Sequence, residues 1–271
     1  MAFKLFDYQS AGKGISKTAP QKKPFFRFFE IFGRKFWKLI ELNMIFILFC
    51  IPIVTFGPAM AALTHVMRKF VLEQPCFVFD EFFTAFKKNF KQSFAVGLID
   101  VVCIVSLFIL LYNFLYLDKL PDGYLVYMCL FIGVGTIFYM MHFYIYLEIV
   151  ALKLNLKAIL KNAMFLVFLG VKRNFIALVI NIAMLTLIFI FLPYSSLAVV
   201  FFPIAWLCFA NVFICYPVIQ KFIVNPYYEE RGERNPELPP EAEEGENLFV
   251  DRGGTEQEIK SVTKTHGKVI K

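Results

Sequence analysis

Residues 39–72 read LIELNMIFILFCIPIVTFGPAMAALTHVMRKFVL, and the fold turns on whether this stretch crosses a membrane once or doubles back. Leu39–Phe56 is an apolar run close to the roughly 20 residues that a helical span needs. Pro58–Leu72 is shorter and mixed, and its direction sets the side on which every later basic residue falls. If it does not return, Arg68, Lys69, Lys87, Lys88 and Lys91 lie outside, followed by Lys153, Lys157, Lys161, Lys172 and Arg173. That arrangement inverts the positive-inside bias twice. If it does return, every Lys and Arg between the spans except Lys119 faces the cytoplasm. The returning helix would reach only about 22 Å at 1.5 Å per residue, so it needs tilt, local thinning or burial against protein.

The turn itself has the residues for a helical hairpin. Gly57 permits the reversal, and Pro58 suits a first helical position, where its missing N–H costs nothing. Ala59, Ala61 and Ala62 let a neighbouring helix come close. Pro52 is expected to kink the first span. A broken transporter helix would carry the same Pro52 and Gly57-Pro58 features.

Outward from this hairpin the chain stays apolar. Of its 271 residues 59% are hydrophobic and only 18% charged, with 35 phenylalanines and a mean hydropathy of +0.64. A soluble domain averages about 45–50% apolar and about 25% charged. Further apolar runs occur at Phe94–Leu117, Tyr124–Leu152, Asn174–Leu192 and Leu197–Val224. The expected fold is therefore an all-α polytopic membrane protein with five long spans plus one short returning or re-entrant helix. Three regions are expected: a basic cytoplasmic segment at 1–38, a helical membrane domain at 39–224 and a disordered acidic cytoplasmic tail at 225–271. Their net charges are +7, +4 and −4. The overall +7 is thus a topology signal and not a nucleic-acid footprint, because no basic cluster sits on a foldable soluble domain.

Two flanking stretches look interfacial. Phe25–Phe36 alternates aromatics with Arg27, Arg34 and Lys35, and Trp37 follows as an anchor. Phe79–Phe94 places Phe79, Phe82, Phe83, Phe86, Phe90 and Phe94 at three- and four-residue spacing, with Asp80 and Glu81 at its start and Lys87, Lys88 and Lys91 near its end. The three lysines are expected to face anionic headgroups, with partner docking as the alternative. Lys153, Lys157 and Lys161 repeat every four residues and read as a second basic stripe. The Glu-Ala-Ala…Gly pattern of a binding-protein-dependent permease is absent from Leu154–Gly170. Asn225-Pro226 is expected to end the last helix, and Leu248-Phe249-Val250 is one apolar island in the acidic tail.

Ionisable groups in apolar runs are costly and therefore informative. Glu41, Asp100, His142 and Glu148 are such groups, and His65 and Arg68 close the returning helix. An Asp100–Arg68 ion pair between the second and third helices is the structural reading. A proton or substrate site using Asp100 and His65 is the functional one. No GxSxG, HExxH or phosphate-cradling glycine loop occurs, so no enzyme is expected. The six cysteines form no CxxC, most lie in apolar runs, and with three scattered histidines they imply neither metal nor cofactor. Gly133 and Gly135 read as helix-packing glycines.

The residues Phe36-Trp37-Lys38-Leu39…Asn43, then Pro52-Ile53-Val54-Thr55-Phe56-Gly57-Pro58-Ala59, Arg68-Lys69 and Phe82-Phe83…Ala85-Phe86-Lys87…Asn89-Phe90-Lys91-Gln92 resemble the YesL family of bacterial membrane proteins, also known as DUF624. The resemblance covers about a quarter of the chain. It implies a small multi-pass protein of the bacterial plasma membrane with no established biochemical activity, whose genes lie near carbohydrate uptake and glycan-degradation systems. The functional expectation is a non-enzymatic accessory or scaffold to a carbohydrate-utilisation system, with both termini cytoplasmic. Its expected partners are the lipid bilayer, anionic headgroups and other membrane or cytosolic proteins of sugar uptake. A small secondary transporter with an intramembrane acidic site is the alternative.

Overall fold

A computed structural model of the chain describes residues 23–117, 121–152 and 154–237. Lys119, Lys153 and the Leu248-Phe249-Val250 island lie outside the described residues, as does most of the expected acidic tail. Residues Pro24–Glu237 form one unit of helices, and no strand occurs among the described residues. The order is α1 (Pro24–Cys50), a 3-10 turn (Ile53–Thr55), α2 (Phe56–Val71), α3 (Val78–Tyr116) and α4 (Tyr124–Ala151). Then come α5 (Leu156–Leu169), α6 (Val171–Ile190), α7 (Tyr194–Phe201), α8 (Pro203–Ile219), a π turn (Gln220–Val224) and α9 (Asn225–Glu230).

Among the described residues four stretches are long and apolar enough to cross a membrane: α3, α4, α6 and Pro203–Glu230. Outward faces are apolar: Leu98, Val102, Val105 and Ile109 on α3, and Val179, Ile182 and Phe189 on α6, are all exposed. So continuous an apolar exterior would aggregate in water, whereas lipid solvates it. The protein is therefore read as membrane-embedded and multi-pass.

The short returning helix is the centre of the bundle. Eleven of the sixteen α2 residues are buried, including Ala59, Ala61 and Ala62 at 0% exposure. It packs on α1, α3, α4 and α8. Its small residues suit a helix enclosed by neighbours, and enclosure by protein relieves a short helix of the need to match the lipid.

The turn differs from expectation in two ways. Pro52 does not kink a span: α1 stops at Cys50, and the Pro52 carbonyl accepts hydrogen bonds from the Thr55 amide (2.9 Å) and hydroxyl (2.6 Å). Pro58 is not the first residue of α2, which starts at Phe56; it occupies the third position, where the N–H is still unclaimed by the helix. Gly57 is buried, and its role is close approach. A β-carbon there would lie 2.0 Å from the Ser93 carbonyl oxygen of α3.

The two segments expected at the interface run without a break into longer helices. Phe25–Phe36 is the front of α1, with Phe25, Phe26, Phe29 and Trp37 exposed. Phe79–Phe94 is the front of α3, whose 39 residues extend about 58 Å at 1.5 Å per residue. Its phenylalanines divide. Phe82 and Phe86 pack on Phe49 of α1 (5.2 and 5.1 Å between centroids), while Phe79, Phe83 and Phe90 stay exposed. The last apolar run is broken at Phe202, with Pro203 opening α8. Asn225-Pro226 does not end the helix, because the π turn before it shifts the hydrogen-bond register and Pro226 then sits where α9 begins. Gly133 and Gly135 do not pack against another helix: a β-carbon on either would meet nothing within 4 Å.

Candidate functional site

The polar residues of the apolar runs do not form one cluster. Asp100, buried on α3, faces α4. Its carboxylate lies 2.5 Å from His142 Nε2 and accepts a 2.7 Å hydrogen bond from the Tyr146 hydroxyl. His142 and Tyr146 are four residues apart, on one face of α4. The other ring nitrogen, Nδ1, lies 2.9 Å from the Phe138 carbonyl, which orients the imidazole so that Nδ1–H donates to it. One carboxylate, one imidazole and one phenol thus close on each other between two candidate spanning helices. Such a group can hold a proton, and it also satisfies three polar side chains in an apolar setting.

The expected Asp100–Arg68 pair is absent, and so is the Asp100–His65 site. Asp100 lies six residues beyond Phe94 and is met by α4, whereas Arg68 and His65 belong to the far end of α2. His65 lies 3.2 Å from Glu81 and Lys69 lies 2.5 Å from the same carboxylate, joining the end of α2 to the start of α3. The Lys69 hydrogen bond holds the Glu81 carboxyl below the usual range. Arg68 turns to α8: its Nε donates to the Tyr216 hydroxyl at 2.8 Å, and its guanidinium also binds Glu237. Glu41 is exposed on α1.

Glu148, on α4, is the opposite case. It is 0% exposed, and among the described residues neither carboxylate oxygen has a hydrogen-bond partner of normal geometry; Asn162 of α5 is the polar side chain beside it. Lys87, Lys88 and Lys91 are all exposed on the front of α3, and the Lys87 ammonium rests 4.1 Å from the Phe83 ring centroid. Lys157, Lys161, Lys172 and Arg173 are exposed on α5 and α6. Gln92 donates to the Leu154 carbonyl (2.8 Å), tying α3 to the chain just before α5, and Arg173 donates to that of Ile214 (3.4 Å), tying α6 to α8.

Asn43 of α1 reaches the break between α7 and α8. Its Nδ2 donates to the Val199 and Val200 carbonyls (3.0 and 2.7 Å), and its Oδ1 accepts from the Ala205 amide (2.8 Å). One α1 side chain therefore caps the end of α7 and the start of α8 together. Asn181 and Asn211 bond each other between α6 and α8 (2.6 Å), and the Tyr139 hydroxyl donates to Asn181 (3.0 Å). The Tyr144 hydroxyl donates to Asn174 (2.5 Å). The break at Pro203 signalled uncapped helix ends, but nothing in the sequence named the residue that covers them. Among the described residues no group of three His, Cys, Asp or Glu is placed to hold a metal ion.

No curated protein and no solved structure matches the chain. Residues 39–114, which carry the second half of α1, all of α2 and nearly all of α3, match the model of DUF624, a protein family of unknown function, and over this stretch the chain is similar to that family.

Proposed function

We propose that the protein is a non-enzymatic accessory or scaffold of the bacterial plasma membrane, with both termini cytoplasmic, serving a carbohydrate uptake or utilisation system. The observation that carries this reading is the exposure of seven basic residues on three helices. Lys87, Lys88 and Lys91 of α3, Lys157 and Lys161 of α5, and Lys172 and Arg173 of α6 are cations suited to anionic headgroups and acidic partners. The interhelical amides support it too, since Asn43, Asn174, Asn181 and Asn211 are spent on holding helices together. The link to carbohydrate use rests on the resemblance to YesL proteins alone. Purification from mild detergent, out of cells growing on complex glycans, should recover specific membrane or cytosolic partners. Recovery of this chain alone would count against a scaffold.

A secondary transporter is the second reading, favoured by the Asp100–His142–Tyr146 group. It requires that reconstituted vesicles accumulate a solute in response to a pH gradient. Uptake should be abolished in Asp100→Asn and His142→Gln. Uptake equal in both variants and wild type would remove that group from any transport role.

A further inference from the structure

Arg68, Tyr216 and Gln220 form a pocket for one anionic group, and the chain fills it with its own carboxylate. Glu237 binds the Arg68 guanidinium through Oε1. Through Oε2 it accepts from the Tyr216 hydroxyl and from the Gln220 side-chain amide (3.2 Å). The three donors belong to the helical bundle: Arg68 to α2, Tyr216 to α8 and Gln220 to the π turn. Arg68 and Tyr216 are held together without help from Glu237. Arg68 Nε donates to the Tyr216 hydroxyl at 2.8 Å, and the guanidinium stands 5.1 Å from the Tyr216 ring centroid. Single π turns often re-aim a side chain at functional positions, and here the turn opens on Gln220.

The occupant is attached differently. Glu237 ends a short stretch beyond α9 that folds back after the turn at Arg231–Gly232. It is held by a 2.9 Å hydrogen bond from its own amide to Asn235, which in turn donates to Asn225. Side-chain exposure of Arg68 and Glu237 is only 15% and 13%, so removing Glu237 leaves a largely covered cation without its charge partner. An arginine, a phenol and a primary amide around one carboxylate are also the donors that suit a phosphate.

We propose that Arg68, Tyr216 and Gln220 constitute an anion-binding site for a phosphate group, that Glu237 is its built-in competitor, and that binding of the phosphate releases the 231–237 segment. The group can come from a soluble phosphate or from a phospholipid headgroup. An internal competitor that is bound nine times in ten lowers the apparent affinity of an external ligand about tenfold. Glu237→Gln, which keeps the shape and removes the charge, should therefore bind phosphate about tenfold more tightly.

The test uses the full chain in neutral detergent. Inorganic phosphate is titrated in one arm and vesicles containing phosphatidic acid, against phosphatidylcholine alone, in the other. Protease cleavage within 231–237 serves as an independent readout. Tighter binding by Glu237→Gln in either arm, with ligand-accelerated cleavage of the wild type, supports the proposal and identifies the source. The response should be lost in Arg68→Gln combined with Glu237→Gln, whose helix content is checked by circular dichroism. Equal binding by Glu237→Gln and wild type in both arms, or a response that survives loss of Arg68, would overturn it.

Discussion

Gly57 of α2 and Gly97 of α3 meet backbone to backbone: a β-carbon on Gly97 would lie 2.7 Å from the Gly57 Cα, and one on Gly57 would lie 2.9 Å from the Gly97 Cα. Helices approach this closely only where both lack side chains. Gly57→Ala and Gly97→Ala should each destabilise the protein by about 1–3 kcal/mol, because backbone must move aside. Gly133→Ala and Gly135→Ala, where the added methyl meets open space, should leave stability unchanged or raise it by up to about 1 kcal/mol. Thermal unfolding of the four variants in one detergent checks the contrast. Equal effects at both pairs would contradict it.

Asn43 spans the break between α7 and α8, so its loss should be felt far from α1. Asn43→Ala leaves two carbonyls and one amide without their partner, at a cost of about 1–3 kcal/mol. Hydrogen exchange should rise first at residues 199–205. A uniform rise over the whole bundle would show that the cap is not local.

Glu148 predicts a change of the opposite sign. A carboxyl group with no exposure and no well-formed hydrogen bond among the described residues is a standing cost, so Glu148→Leu should raise the thermal midpoint. A lower midpoint for Glu148→Leu would mean that the carboxylate makes a favourable contact in the membrane.

The Lys69–Glu81 contact makes stability depend on pH in one direction. The folded Glu81 carboxyl titrates below its ordinary 4.5, with the Lys69 hydrogen bond as the main cause. Above 4.5 both folded and unfolded states are ionised and the stabilisation is complete. As pH falls below that value the unfolded state takes up the proton first, and the stabilisation fades until the folded group is also protonated. The thermal midpoint of the wild type should therefore drop on acidification through this window. The drop should be smaller for Glu81→Gln. Parallel curves for the two proteins would exclude Glu81 as the cause.

The helical class, the break after the first apolar run and the amphipathic front of α3 were legible because apolar blocks, turn residues and three- and four-residue spacing are local properties. The partners of the polar residues were not. Asp100 and Arg68 were both visible as costly groups near the second and third helices, and proximity in the chain suggested a pair. The carboxylate instead meets His142 and Tyr146, 42 and 46 residues away, because α4 and not the end of α2 lies against that turn of α3. Gly97 was overlooked although Ser93 and Gly97 form a small-xxx-small pair of the type that marks close helix contacts. Gly133 and Gly135, noticed for their spacing, pack against nothing within reach. Small residues indicate that close approach is possible, and the neighbouring helix decides whether it happens.

The enclosure of α2 also sets an order on biosynthesis. Thr64 touches Cys208 and Arg68 bonds Tyr216, partners 144 and 148 residues further along the chain. At about 5–20 residues per second, the ribosome reaches them roughly 7–30 s after α2 has been made. Until then a short helix carrying His65, Arg68 and Lys69 has no finished socket. The contacts that complete its seat can form only once α8 has been made.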